Sequence, residues 1–255
     1  MSPRNLTVLF GALFLFMLAW SVGLATPLIN LLGAESEMAR YLINKGVLTL
    51  VFGLALWRFK LFASVGFSPG MGLASYAIGL PLLALGVLAF FEPGRPVLTS
   101  FDFAGWTVVI LFVAFTEETL FRGVLWQAMR RSGIWKRAIC TSVMFGLIHM
   151  IPAGFGDVGW SIASAYGFSA AGFGMVFAAM RERAKTIWSV IVVHVVFDIA
   201  AISASGGVEA LLEPGPEIYV RFLSAAVVFA AWGSIAIWLM KRRTLSKGQS
   251  QMLSD

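Results

Sequence analysis

Long uninterrupted apolar runs constrain this chain more than any other feature of its sequence. A helix that crosses the hydrocarbon core of a bilayer needs about 17–25 mostly apolar residues. Eight stretches reach or approach that length, at Leu6–Leu31, Tyr41–Trp57, Leu73–Phe91, Gly105–Met129, Arg137–Ile151, Trp160–Met180, Thr186–Ser203 and Ile218–Met240. Because the runs are continuous rather than alternating, they favour helices over a barrel. The sequence predicts an all-α, polytopic transmembrane helix bundle of about eight spans.

The composition agrees with a chain that is surrounded by lipid. Of the 255 residues, 59% are hydrophobic and only 13% are charged, and the mean hydropathy is +0.85. A soluble domain carries about 25% charged residues. We find no polar linker that would divide the chain, so we expect one integral membrane domain over residues 1–255. The single cysteine, Cys140, excludes an intrachain disulfide and a multi-cysteine metal site.

The basic residues predict the orientation of the bundle. The net charge of +6 does not indicate a nucleic-acid partner, because the basic residues lie in short loops between apolar runs. With a cytoplasmic N-terminus, fourteen of the nineteen Lys and Arg residues fall in cytoplasmic segments, namely Arg4, Arg58, Lys60, Arg130, Arg131, Lys136, Arg137, Arg181, Arg183, Lys185, Lys241, Arg242, Arg243 and Lys247. This bias predicts that both termini are cytoplasmic, and we expect a bacterial inner membrane. The first apolar run is longer than the core of a signal peptide, so we interpret it as a retained anchor.

Several ionisable residues lie inside the predicted spans. A charged side chain at the centre of a membrane helix costs at least about 2.5–3.5 kcal/mol, so such residues mark functional sites by default. The residues concerned are Glu117, Glu118, Arg122, His149, His194 and Asp198, and they include both histidines of the chain. We expect them to face one polar cavity among spans four to seven.

The spacing of these residues predicts two local pairs. Glu118 and Arg122 are four residues apart on a helix, as are His194 and Asp198, so the members of each pair share a face. Glu117 lies about 100° around the helix from Glu118, and we expect it to face a different neighbour.

Three short motifs in these spans resemble a known family. Glu117-Glu118-Thr119-Leu120-Phe121-Arg122-Gly123 resembles the EExxxR motif of the CPBP family, which groups CAAX prenyl endopeptidases with bacteriocin-processing and immunity (Abi) proteins. Phe145-Gly146-Leu147-Ile148-His149 resembles its FxxxH motif, and His194-Val195-Val196-Phe197-Asp198 its Hxxx(N/D) motif. The resemblance covers about residues 105–203, which we expect to form the motif-bearing core.

The resemblance implies a glutamate-type intramembrane peptidase without a cofactor or metal. Glu117 would be the general base that activates water, with help from His149, while His194 and Asp198 would stabilise the oxyanion. Glu118 and Arg122 would form a structural or orienting pair. Eukaryotic prenyl endopeptidases carry Asn where this chain has Asp198, and an ionised Asp cannot donate a hydrogen bond. Asp198 must therefore be protonated, or must instead orient His194.

The substrate implied is a membrane-associated protein or peptide, and the position of the motifs along their spans favours a site from mid-membrane toward the outer leaflet. Three other functions stay open at this point. The same residue types suit zinc, although no HExxH motif is present. A non-enzymatic immunity or scaffold protein could keep the fold, and buried Glu and His also occur in proton-coupled carriers.

Overall fold

The computed structural model describes residues 1–68, 73–91, 98–154, 159–206 and 215–252, with side chains as far as residue 242. Helix is the regular secondary structure of these residues, which confirms the all-α prediction. In chain order the α-helices are α1 (Pro3–Ala19), α2 (Thr26–Leu31), α3 (Glu37–Arg58), α4 (Phe62–Val65), α5 (Tyr76–Ala89), α6 (Ser100–Glu118), α7 (Trp126–Ala128), α8 (Ile134–Ile148), α9 (Ile151–Gly154), α10 (Trp160–Ala184), α11 (Trp188–Ser205) and α12 (Pro216–Met252). A π-helical turn follows α1 over Trp20–Leu24, a second follows α6 over Thr119–Leu125, and a 3-10 turn over Leu73–Ser75 precedes α5.

Among the described residues, five helical segments are long and apolar enough to cross a membrane. They are Pro3–Leu24, Glu37–Arg58, Trp160–Ala184, Trp188–Ser205 and Glu217–Arg242. A shorter apolar helical segment lies at Leu73–Ala89. Five of the eight predicted spans thus coincide with a helix of spanning length. The other three, at residues 73–91, 105–129 and 137–151, stay predictions, and the third corresponds to α8, which has only 15 residues.

Short polar side chains set where the helices begin. The Ser36 hydroxyl accepts a hydrogen bond from the backbone N–H of Ala39 at the start of α3. At the start of α6, Thr99 Oγ1 accepts from the N–H of Asp102 at 3.0 Å and donates to its carboxylate at 2.6 Å. Such caps satisfy backbone donors that the first helical turn leaves unpaired. The cap at Thr99 thereby defines the first turn of the helix that ends at Glu117 and Glu118.

Helix α10 lies at the centre of the bundle, packed against α8 on one side and α12 on another. Glycines allow this close approach: a Cβ on Gly146 of α8 would lie 2.5 Å from the carbonyl oxygen of Gly167 in α10. A Cβ on Gly172 would lie 2.7 Å from the carbonyl oxygen of Ala226 in α12. Small residues at helix contacts are typical of membrane bundles. Helix α11 packs against α5 and α6, and α3 packs against α6, so α6, α8, α10 and α11 form the inner group.

Candidate active site

The two adjacent glutamates lie where regular α-helix changes into a wider helical turn. Glu117 and Glu118 are the last residues of α6, and the π-helical segment Thr119–Leu125 follows directly. All seven residues of this segment are buried, including Arg122. Single π-helical turns occur frequently at functional sites, because they redirect side chains within an otherwise regular helix.

A buried arginine from α10 supports the π-helical segment. Arg181 donates from Nε to the backbone carbonyl of Arg122 at 3.0 Å and from Nη2 to that of Val65 at 3.3 Å. Buried carbonyl groups need such partners, because an unpaired one costs the free energy of a lost hydrogen bond. Gly66 has a φ of 109°, and a Cβ there would lie 2.6 Å from Arg181 Nη2. Arg181 therefore ties the π-helical segment to the turn after α4, and a side chain at Gly66 would displace it.

A sealed ionic cluster lies under the site. Oε1 of Glu118 is 3.2 Å from Arg122 Nη1 and 2.9 Å from His194 Nδ1, so one carboxylate oxygen joins α6, the π-helical segment and α11. The side chains of Glu118 and Arg122 have no exposed surface. A buried charge is tolerated only when it is paired. This cluster is suited to holding three helices in register rather than to meeting a substrate.

Two phenylalanines form the walls of this cluster. The guanidinium carbon of Arg122 lies 4.3 Å from the ring centroid of Phe145 and 5.3 Å from that of Phe177. Both are within the range of a cation–π attraction, which strengthens when water is excluded. The His194 ring stacks on Phe177, with centroids 5.3 Å apart, and meets Phe145 edge-on at 6.1 Å. The aromatic walls thus restrain both the guanidinium and the imidazole.

The second nitrogen of His194 faces the other carboxylates. Nε2 lies 3.1 Å from Asp198 Oδ2 and 3.9 Å from Glu117 Oε2. A neutral imidazole has one N–H and can donate to only one carboxylate, whereas a doubly protonated ring donates from both nitrogens. The contacts to Glu118 and Asp198 are both hydrogen bonds only if His194 carries two protons or one of the two carboxyl groups is protonated.

Glu117 does not face a different neighbour from Glu118, and that expectation was wrong. Both glutamates approach the His194 ring, one near each nitrogen, because the rotation between successive helical residues carries them to opposite edges of the same imidazole. The two differ in accessibility instead. Of the side-chain surface, 13% is exposed at Glu117 and 31% at Asp198, against none at Glu118. Oε2 of Glu117 makes no hydrogen bond within the described part of the chain.

His149 lies beside this network rather than within it. It follows the last residue of α8, and its Nδ1–H donates to the Phe145 carbonyl at 2.7 Å. A neutral His149 in that tautomer presents Nε2 as an acceptor. No hydrogen bond or ion pair joins His149 to a carboxylate of the described residues. The Phe145 ring connects the two histidines, with its centroid 4.8 Å from that of His149.

Residues 99–200 match the family model described as type II CAAX prenyl endopeptidase, Rce1-like. This segment is therefore similar to the Rce1-like CAAX prenyl endopeptidases of the CPBP family. No curated protein and no solved structure gives a match. The family implies an integral membrane protease of the CAAX type, acting on a peptide substrate.

The match covers the inner group of helices. It begins at the residue that caps α6 and ends within α11, so the Rce1-like core contains all six residues that the sequence singled out. Three carboxylates, those of Glu117, Glu118 and Asp198, come together around the His194 imidazole. Arg122 lies next to Glu118. Helices α1 to α5 and α12 lie outside the matched segment, and all of them except α2 pack against it.

Two residues near the Rce1-like site were not predicted from the sequence. Tyr166, on α10, meets the His149 ring edge-on with centroids 5.1 Å apart, and both Asp198 and Glu117 act electrostatically on its hydroxyl. Lys45, on α3, is half-buried and lies within electrostatic reach of Glu117. Lys45 had a signal, because it is a cation inside an apolar run. Tyr166 had none, since a tyrosine in a membrane helix is ordinary.

Among the described residues, no group of three or more His, Cys, Asp or Glu side chains is arranged to hold a metal ion. His194 directs both nitrogens toward carboxylates, an arrangement typical of an ionic network.

Proposed function

We propose that this protein is an intramembrane endopeptidase in which Glu117 activates a water molecule for attack on a peptide bond. One observation carries the proposal. Of two adjacent glutamates beside one histidine, Glu118 has no exposed side-chain surface and is held by Arg122 and His194, whereas the Glu117 side chain is 13% exposed. A general base must reach the water from which it removes a proton. Glu118 is closed to water, and Glu117 is not.

Glu117 and His149 are the proton acceptors of the proposed reaction. Glu117 removes a proton from water while the water oxygen bonds to the carbonyl carbon, and the C=O electron pair moves onto oxygen. When the C–N bond then breaks, the amine leaves with the proton that Glu117 held. His149, whose Nδ1–H is directed at the Phe145 carbonyl, offers Nε2 as a second acceptor that orients the water. Such proton transfers contribute about 100- to 10,000-fold to a rate.

His194 is proposed to stabilise the oxyanion, and Asp198 is proposed to orient the His194 ring. The hydrogen-bond length of 3.1 Å between Nε2 and Oδ2 supports the orienting role, because an ionised Asp only accepts. Glu118 holds the opposite nitrogen, so the ring has little freedom to rotate. With a proton on each nitrogen, the held ring is a preorganised positive charge, which needs no reorganisation when negative charge develops on the substrate oxygen.

We also propose a topology for the chain and a depth for the site in the membrane. The chain forms one domain of about eight spans with both termini in the cytoplasm of a bacterial cell, and residues 105–203 form its catalytic core. Glu117 lies at mid-membrane or toward the outer leaflet, so the substrate is a membrane-associated protein or peptide.

The test is a comparison of membrane proteomes from cells with wild-type protein and with Glu117→Gln. We expect at least one membrane protein to lose a processed terminus in the variant, because an amide cannot accept the proton. Glu217→Gln is the matched control, since Glu217 is exposed at the start of α12. A peptide spanning the cleavage site then gives kcat and KM for the purified protein.

The same experiment separates the alternatives. If every processed terminus survives Glu117→Gln, the peptidase assignment is wrong, and a scaffold or immunity role takes its place. If purified protein contains stoichiometric zinc and chelators abolish cleavage, the zinc-dependent mechanism replaces the glutamate mechanism.

A further inference from the structure

The groups around Glu117 contain many hydrogen-bond acceptors and few free donors. Glu117 and Asp198 accept when ionised, and His194 directs both nitrogens toward carboxylates. His149 commits its Nδ1–H to a backbone carbonyl. Yet the tetrahedral intermediate of amide hydrolysis carries a negative oxygen that needs donors aimed at it, often two. The six motif residues therefore do not supply a complete oxyanion site.

Tyr166 has the missing donor. Its hydroxyl makes no hydrogen bond to another described residue and is not among the sealed polar groups that lack a partner. Its ring is held edge-on against His149 and packs on Phe222 of α12, with centroids 5.1 and 5.2 Å apart. The ring is thus restrained on two sides while the hydroxyl stays available.

The position of Tyr166 also fits this role. Its ring is in edge-on contact with His149, which the proposed mechanism uses to orient the water. Asp198 and Glu117, the two partly exposed carboxylates of the site, are close enough to act electrostatically on its hydroxyl. Tyr166 therefore lies beside one proposed catalytic residue and near two others.

We infer that Tyr166 is a further catalytic residue, whose hydroxyl donates a hydrogen bond to the oxyanion of the tetrahedral intermediate. This inference rests on the proposed peptidase function. In the step concerned, the water oxygen bonds to the carbonyl carbon, Glu117 takes the water proton, and the C=O pair moves to oxygen. Tyr166 donates to that oxygen and keeps its proton. When the pair returns to re-form C=O, the C–N bond breaks and the amine takes the proton from Glu117.

The test compares Tyr166→Phe with Tyr219→Phe in full-length protein reconstituted in nanodiscs. Phenylalanine keeps the ring contacts to His149 and Phe222 and removes only the hydroxyl. Tyr219 is the matched control, because its hydroxyl pairs with Ser161 at 3.0 Å and lies outside the proposed machinery. The probe is the peptide that spans the cleavage site whose processing depends on Glu117. We expect kcat to fall about 100-fold in Tyr166→Phe, as for the loss of one oxyanion donor, with KM unchanged.

A second measurement separates catalysis from a structural role. A phosphinic analogue of the same peptide carries a fixed oxyanion, so its inhibition constant should rise by the factor that kcat falls, while thermal stability stays that of Tyr219→Phe. The inference is overturned if kcat stays within about twofold of wild type, or if only KM changes. Should Tyr166→Phe be normal while Glu117→Gln is inactive, the inference alone fails. If no cleavage depends on Glu117, both fail.

Discussion

Oε1 of Glu118 lies 2.9 Å from Nδ1 of His194, so the second glutamate of the first motif touches the first residue of the third motif. The contact joins α6 to α11 at a point that is closed to solvent. It gives Glu118 two cationic or donor partners on one oxygen and leaves its side chain fully buried, whereas the side chain of its neighbour Glu117 is partly exposed. Two chemically identical side chains thereby acquire different properties from their surroundings alone.

Removal of the Glu118 charge should lower the free energy of unfolding of the protein. Glu118→Gln leaves Arg122 buried and without a counter-ion, which costs on the order of 3–5 kcal/mol. We expect a clear fall in the midpoint of thermal unfolding in detergent. Glu182→Gln is the control, because Glu182 belongs to a partly exposed ion-pair group with Arg137 and Lys185 and should lose no more than about 1 kcal/mol.

The double variant Glu118→Gln/Arg122→Met should be less destabilised than the sum of its single variants. Neither charge then remains buried alone, and coupling between residues in contact reaches about 0.5–3 kcal/mol. If the double variant loses as much stability as the two single variants together, the 3.2 Å ion pair contributes no coupling free energy.

Arg181 should position the site without touching substrate. Arg181→Gln shortens the side chain, so that its single amide nitrogen cannot reach both buried carbonyl groups, and we expect a loss of about 1–3 kcal/mol for each group left unpaired. The loosened π-helical segment should also lower kcat, with KM unchanged. Arg183→Gln is the control, because Arg183 is exposed on the same helix. Normal activity in Arg181→Gln would show that Glu117 keeps its position without this support.

Asp198→Asn and Asp198→Leu distinguish orientation from charge. Asparagine keeps an oxygen that can accept from His194 Nε2, so we expect kcat within about tenfold of wild type. Leucine removes the acceptor, and a displaced imidazole should cost about 100-fold. If Asn is as inactive as Leu, the negative charge of Asp198, and not its hydrogen bond, is what the reaction requires.

Single cysteines test the predicted orientation in a Cys140→Ser background. Glu35→Cys and Arg131→Cys replace exposed residues in the loops before α3 and before α8. With both termini cytoplasmic, a membrane-impermeant maleimide added to intact cells should label residue 35 and spare residue 131. The reverse labelling would invert the bundle and the proposed side of substrate access.

The sequence predicted the members of the site better than their contacts. Ionisable residues in apolar runs are rare enough to stand out, which is why Glu117, His194 and Asp198 could be found without a structure. Contacts within one helix followed from spacing, as at His194 and Asp198. The contact between Glu118 and His194 joins residues 76 positions apart, so no local spacing could predict it.

The π-helical segment and the role of Tyr166 could not be predicted from the sequence for a related reason. A π-helical turn depends on tertiary support, here from Arg181, and leaves no local pattern in the residues of Thr119–Leu125. Tyr166 acquires its environment from α6, α8 and α11, none of which is adjacent to it in sequence. Lys45 could have been found by the criterion that identified the glutamates, because it too is ionisable and lies within a predicted span.

The Phe145 ring borders three groups at once, the imidazoles of His149 and His194 and the guanidinium of Arg122. A larger or smaller side chain at Phe145 would change the packing of all three groups at the same time. A change of residue at Phe145 should therefore displace both histidines together with the Arg122 guanidinium, rather than any one of them alone.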